Sequence, residues 1–177
     1  MIESRYWKKD ILEHAKALKQ SNKSKKWTEK SQVNLEKEII ISFFMIRKLL
    51  ESHKLSKKSK KYSSKIYASP IKNKKINNLN FWDIDSLYSL DNEVIKNKSI
   101  TFICNQFIHG GAIYAYKNKQ KKWEGIYTCS DFERSKFIYR IPLKEIIKIF
   151  NIVGKDYPMQ MEYKYSESKD DYIITTD

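Results

Sequence analysis

Glycine is scarce in this chain, with 4 residues among 177, and only 2 cysteines and 3 histidines are present. So little glycine indicates regular helices and strands rather than glycine-rich loops, and the sequence has no glycine-rich phosphate-binding loop. The cysteines lack metal-ligand spacing and the histidines are scattered, which argues against a zinc site. We therefore expect no metal, no cofactor and two reduced thiols.

Long apolar runs are also missing. No stretch of about 18 or more apolar residues occurs, so we expect no membrane-spanning helix. The first ten residues, MIESRYWKKD, lack the apolar core of a secretion signal, which predicts a cytoplasmic protein. An exposed, amphipathic basic helix is lacking too, which counts against a membrane-surface module.

Charge is what the chain has in excess, and it is unevenly distributed. The net charge is +14, and residues 1–75 hold 21 basic and 7 acidic residues, whereas residues 76–177 hold 14 of each. A genome rich in A and T inflates lysine, but such a bias alone would not leave the second part neutral. This asymmetry predicts a polyanionic partner. We expect that partner to be nucleic acid, and RNA rather than DNA.

The lysines are densest in residues 54–75, which contain nine lysines and no acidic residue. We predict a solvated basic linker here, because like charges at this density repel and Pro70 interrupts a helix. Lysine interleaved with tyrosine suits phosphate contact and base stacking, although a plain solvated loop is the simpler alternative. The candidate nucleic-acid-binding residues are Lys57, Lys58, Lys60, Lys61, Lys65, Lys72, Lys74, Lys75, Tyr62 and Tyr67.

Helical periodicity marks most of residues 1–111. We predict helices at 3–20, at 29–55 with Thr28 as N-cap, and at 81–90 with Asn80 as N-cap. Within residues 98–111, an apolar stripe at helical spacing comprises Ile100, Ile103, Cys104, Phe107 and Ile108. Asn105 and His109 fall on the opposite face, one turn apart. Gly110 and Gly111 are predicted to end this helix in the left-handed conformation.

The pattern changes after residue 111. Residues 112–116, 123–129 and 136–141 are short, aromatic and β-branched, which predicts an antiparallel β-meander. Pro142 then opens a helix that ends near Gly154, and a final hairpin turns at residues 167–171. The sequence therefore predicts a basic helical domain at 1–111, including the linker at 54–75, and a meander-plus-helix subdomain at 112–177 packed on it.

The segment 104–109, CNQFIH, resembles the motif of the HEPN superfamily, in which an arginine and a polar residue precede a histidine on a late helix. HEPN domains are small and helical, and many are metal-independent ribonucleases of toxin, CRISPR and antiphage systems. Asn105 and His109 match the motif, whereas Cys104 stands where the family has arginine. The resemblance spans about residues 3–111 and implies a HEPN-like helical bundle there, whereas the meander, the helix and the terminal hairpin lie outside it. Together the two parts predict an α+β chain, a HEPN-like helical bundle followed by a small antiparallel β-meander, a helix and a terminal hairpin.

This resemblance leaves two functions open. One is a HEPN-like accessory protein of a bacterial defence or toxin system that binds nucleic acid or a larger partner, as a homodimer or a subunit. The other is a metal-independent endoribonuclease, in which His109 takes the proton of a ribose 2′-hydroxyl and Asn105 orients the phosphate. The enzyme would need a cation from Arg134, Arg140, the segment 54–75 or a partner chain. A purely structural polar pair at a helix end is the third interpretation.

A second pair has the same arginine-to-histidine spacing. Arg47 precedes His53 with five residues between them, at the end of the second predicted helix. With four arginines and three histidines in the chain, one such match by chance is unremarkable.

Overall fold

The computed structural model describes residues 3–21, 28–118, 120 and 122–177. These ranges contain six helices and seven strands. The helices are α1 (Ser4–Ser21), α2 (Glu29–Glu51), α3 (Lys57–Lys61), α4 (Ile84–Leu87), α5 (Ile100–Ile108) and α6 (Leu143–Gly154). The strands are β1 (Ser63–Pro70), β2 (Val94–Ser99), β3 (Gly110–Lys117), β4 (Trp123–Ser130), β5 (Phe137–Pro142), β6 (Met161–Ser166) and β7 (Asp171–Thr176).

A five-stranded antiparallel sheet, with strand order β2-β1-β5-β4-β3, forms the centre of the fold. β1 pairs with β2 on one side and with β5 on the other, so this basic strand is internal. One cross-strand row contains Tyr67, Arg140, Tyr127 and Tyr114. Directly paired residues of antiparallel strands point to the same side, so these four side chains share one face of the sheet.

Four helices cover the other face. α5 and α6 lie against the sheet, α1 packs on α6, and α2 packs on α5 and α1. Phe43 of α2 stacks on Phe107 of α5 with 4.3 Å between ring centroids and meets Phe150 of α6 edge-on at 5.3 Å. All three rings are buried, so one aromatic cluster joins three helices over the sheet.

The face that carries Tyr67 is partly covered by residues 71–92, which include α4. Leu87 and Tyr88 of this segment are buried against Tyr127 and Ile138 of the sheet, forming a second, smaller core. β6 and β7 form a separate hairpin. Its base is fixed to the body because Thr176 Oγ1 donates to the carbonyl of Leu55 at 2.7 Å.

The predicted N-terminal helical bundle is wrong. Residues 1–111 contain two long helices, α1 and α2, and contribute β1 and β2 to the sheet that also holds the predicted meander strands. Three strands in the second part, the helix after Pro142 and the terminal hairpin are confirmed. The bundle was overpredicted because neither N-terminal strand shows a plain apolar period of two: the buried positions of β1 include Ser64, and β2 has no buried residue.

Residues 54–75 are not a linker but α3 and β1. In β1, Ser64, Ile66 and Ala68 are fully buried, whereas Lys65 is exposed. Successive strand residues point to opposite faces, so a lysine-bearing strand can pair on both sides and keep its charge in solvent. Lys65 therefore lies on the solvated face of a paired strand.

The helix predicted at 81–90 is reduced to the four residues of α4, and its N-cap is Asp83. The Asp83 side chain accepts the Ser86 N–H at 3.3 Å. Asn80, the predicted cap, instead accepts the Asn77 N–H at 2.8 Å within a preceding turn. Because its side-chain oxygen serves that turn, Asn80 does not begin the helix.

Gly110 and Gly111 do not adopt the left-handed conformation, since no glycine in the described ranges has positive φ. Helix α5 ends at Ile108 with His109 as C-cap. A Cβ at Gly110 would lie 2.4 Å from the carbonyl oxygen of Gln106, so this glycine permits close backbone approach. A Cβ at Gly111 would meet only Phe81, at 4.0 Å.

None of the helices in the described part of the chain combines the length and the apolarity needed to cross a bilayer.

Candidate nucleic-acid interface

The two predicted catalytic residues sit at the end of α5. Asn105 is half-buried, and its Oδ1 accepts a hydrogen bond from Arg47 Nη1 at 2.9 Å. His109 is exposed, and its backbone N–H donates to the Asn105 carbonyl at 3.1 Å. Within the described ranges, the His109 ring has no hydrogen-bond or ion-pair partner. Asn105 is therefore held by the fold, whereas the imidazole faces solvent.

Arg47 is the cation that the structure brings to Asn105, and sequence reasoning did not select it for this role. Its Nε also donates to Glu51 Oε1 at 2.7 Å, so an acid shares the guanidinium. The contacts of Arg47 lead to α5 rather than to His53, which lies beyond the end of α2 with φ of 55°. Arg47 contacts Asn105 because of the way α2 packs against α5. No short sequence motif encodes that packing.

The other arginines considered as the cation are engaged elsewhere. Arg134 pairs with Asp131 at 3.2 Å, and Arg140 pairs with Glu93.

The two thiols are unsuited to catalysis. Cys104 is fully buried, and burial raises the pKa of its thiol to about 12. Cys129 is half-buried, and burial raises its pKa as well. Both groups stay protonated near neutral pH, so neither supplies a thiolate nucleophile. Among the described residues there is no group of three or more His, Cys, Asp or Glu side chains that could hold a metal ion.

The ten predicted nucleic-acid-binding residues are distributed along β1 and beyond both of its ends. The group before the strand comprises Lys57, Lys58, Lys60, Lys61 and Tyr62. The group after the strand comprises Lys72, Lys74 and Lys75. Lys65 and Tyr67 lie within it. A strand of this length spans roughly 26 Å, so the two groups do not form one compact surface.

Two of these lysines already donate hydrogen bonds within the protein. Lys60 is half-buried and donates to Thr176 Oγ1 at 3.1 Å, and burial lowers its pKa. Lys72 donates to the carbonyl of Asp85 at 2.7 Å. Lys57, Lys58 and Lys61 are exposed on α3 and remain available to a phosphate.

The structure adds lysines that the sequence analysis missed. Lys144 and Lys148 are exposed on α6, and Lys155 is exposed directly after its last residue, at spacings of four and seven residues. These spacings place them on one helix face, together with Asn151, over about 17 Å. The sequence offers no charge signal for these lysines, because residues 76–177 are neutral overall. Their positive charges are nevertheless clustered along this face of α6. The spacing itself was the signal that could have found them.

A groove of about 470 Å³ lies between α3 and α6, and we call it the α3–α6 groove. Its wall includes Lys58, Tyr62, Lys148, Asn151 and Lys155. Lys148 Nζ lies 5.3 Å from the centroid of the Tyr62 ring. A hydrogen bond with Tyr62, aided by the charge of Glu145, raises the pKa of Lys148. The groove therefore keeps its positive charge at neutral pH.

The acidic groups beside this groove are already hydrogen-bonded to the protein. Asp156 Oδ2 accepts the Ser56 N–H at 2.8 Å. Glu145 Oε2 accepts the hydroxyl of Ser64 at 2.7 Å. These neutral donors orient the carboxylates without cancelling their charge, and Asp156 itself lines the groove. Three lysines, Lys58, Lys148 and Lys155, against two carboxylates leave the groove net positive. No family model, curated protein or solved structure matches this chain. The groove must therefore be interpreted from its own chemistry.

Proposed function

We propose that this protein binds nucleic acid, with RNA as the preferred form, through the α3–α6 groove. The observation that carries the proposal is the convergence of Lys58 with Lys148 and Lys155 around the Tyr62 ring. Lysines at this spacing can follow a phosphate backbone, and a tyrosine among them offers a surface on which a base can stack. Unpaired bases in RNA loops and bulges are typical targets of such aromatic side chains.

The first experiment measures binding against salt. Fluorescence anisotropy with a labelled ten-nucleotide RNA, and with DNA of the same sequence, should show affinity that falls steeply with salt, because each phosphate contact releases counterions. RNA should bind more tightly than DNA. An affinity that does not depend on salt concentration, or no binding of either polymer at 50 mM salt, would refute the proposal.

A second candidate function is metal-independent cleavage of RNA at the end of α5. It is favoured by one observation, the 2.9 Å hydrogen bond between Arg47 and Asn105. Arg47 would supply the cation that Cys104 cannot, and His109 would act as the general base toward a ribose 2′-hydroxyl. The Arg47–Glu51 ion pair opposes this function, because the carboxylate partly neutralises the guanidinium.

Cleavage can be tested apart from binding. Labelled RNA incubated with the protein in EDTA should be cut by the wild-type chain and not by His109→Ala. Glu51→Gln should increase cleavage if the ion pair restrains Arg47. If the wild-type chain cuts no RNA at any protein concentration, the second candidate is abandoned while the binding proposal stands.

A further inference from the structure

A second groove adjoins the basic face of α6 and has aromatic walls. Tyr67 of β1 and Tyr116 of β3 lie on either side of Arg140, with 4.0 and 4.9 Å from the guanidinium carbon to their ring centroids. Tyr116 also meets Tyr127 edge-on at 5.5 Å. The three rings and the guanidinium are packed on paired strands, so the positions of Tyr67 and Tyr116 are constrained before any ligand arrives.

The charge of Arg140 is already neutralised. Its Nε donates to Glu93 Oε1 at 2.8 Å and its Nη2 donates to Glu93 Oε2 at 2.5 Å, a bidentate pair. The Arg140 and Glu93 side chains are only 15 and 16% exposed. Because the pair cancels its own charge, this place is poorly suited to a phosphate and better suited to a flat, uncharged group that stacks on tyrosine.

Lysines border the same groove. The groove has a volume of about 480 Å³, within the usual range for small-ligand sites, and its wall includes Tyr67, Tyr116, Asn118, Lys122 and Lys144. Lys144 belongs to the exposed face of α6 that continues to the α3–α6 groove through Lys148. The aromatic groove therefore lies at one end of a lysine path about 17 Å long.

We propose that the groove lined by Tyr67, Tyr116 and the Arg140 guanidinium receives one unpaired base of a single-stranded nucleic acid, whose phosphates contact Lys122 and Lys144. This inference rests on the proposed function and specifies its ligand as single-stranded. Inside a duplex the base faces are stacked on each other, so no internal base can lie on the tyrosines.

The test compares Tyr116→Leu with Tyr116→Phe. Anisotropy is measured with a labelled ten-nucleotide uridine strand and with a blunt RNA duplex of ten base pairs. Tyr116→Leu should weaken single-strand binding about fivefold or more, since one stacked base typically contributes at least this much, and should change duplex binding less than twofold. Tyr116→Phe keeps the aromatic face and should bind both like the wild-type chain. Tyr163→Leu, at a tyrosine 61% exposed on the terminal hairpin, is the control and should change neither.

Photocrosslinking of the wild-type chain avoids any dependence on variant folding. A strand that carries 5-iodouridine should crosslink to Tyr67 or Tyr116, as mapped by mass spectrometry of tryptic peptides. Crosslinks found only elsewhere, or equal single-strand affinities of Tyr116→Leu and Tyr116→Phe, would overturn the inference. Steep salt dependence with no effect at Tyr116 would refute this site alone, whereas no binding of any strand would refute the proposed function as well.

Discussion

Replacing three lysines of the α3–α6 groove tests whether RNA binds at this groove or whether its affinity depends only on the net charge of the protein. The variant Lys58→Gln/Lys148→Gln/Lys155→Gln removes three charges, from α3, from α6 and from the C-cap of α6, and keeps side chains of similar length. Lys58, Lys148 and Lys155 are exposed, so the substitutions should leave the core unchanged. Thermal unfolding followed by circular dichroism should confirm this.

The expected magnitude follows from the number of contacts. Each lysine–phosphate contact with a single strand adds about 0.7 to the slope of log affinity against log salt, so three contacts add about 2. Between 50 and 200 mM salt, the wild-type affinity should therefore fall about 16-fold more than that of the variant. Anisotropy titrations at four salt concentrations resolve a difference of this size.

A matched variant controls for net charge. Lys72→Gln/Lys74→Gln/Lys75→Gln also removes three charges, at the other end of β1 from the groove. Its slope should stay within about 0.5 of the wild-type value, because these lysines lie outside the proposed groove. Equal slopes for the two triple variants would refute the reasoning, since binding would then depend on overall charge and not on the groove.

Three further predictions concern stability. Lys8 is 1% exposed, and its ammonium donates to the carbonyls of Lys54 and Asp156, so Lys8→Met should lower the free energy of unfolding in urea by about 2–4 kcal/mol. Gly110→Ala should cost about 1–3 kcal/mol in the same assay because of its backbone clash, whereas Gly111→Ala, which meets no close atom, should change stability by less than about 0.5 kcal/mol. Burial raises the pKa of Cys104 to about 12, so the unfolded chain loses this proton first as the pH rises. Stability should hold below about pH 9 and fall toward pH 12, and Cys104→Ala should flatten that decline in urea titrations at several pH values.

Each stability prediction has a result that contradicts it. Lys8→Met with wild-type stability would mean that the two carbonyls find other donors. Equal effects of alanine at both glycines would show that backbone approach at Gly110 is not the constraint. A stability profile of Cys104→Ala parallel to that of the wild-type chain would assign the alkaline loss to other groups. The tyrosines Tyr88, Tyr127 and Tyr139 are candidates, because burial raises their pKa values too.

Local patterns in the sequence predicted those elements whose side chains report directly on burial. α6 carries an apolar stripe at helical spacing, and the three strands of the second part carry aromatic and β-branched residues between polar turns. β1 and β2 were missed, because the exposed Lys65 and the half-buried Lys96 are as compatible with a solvated loop as with a strand. Whether such a segment joins a sheet depends on a partner strand distant in sequence.

The basic character of the chain and the position of Asn105 and His109 near the end of a helix follow from the sequence alone. Only the tertiary structure places Arg47 against Asn105, splits the lysines of residues 54–75 between two ends of a strand, and brings Lys58 beside Lys148 and Lys155. The reason is physical: spacing along a helix or strand is encoded locally, whereas the meeting of α3 with α6 depends on how all four large helices and the sheet bury their apolar faces together.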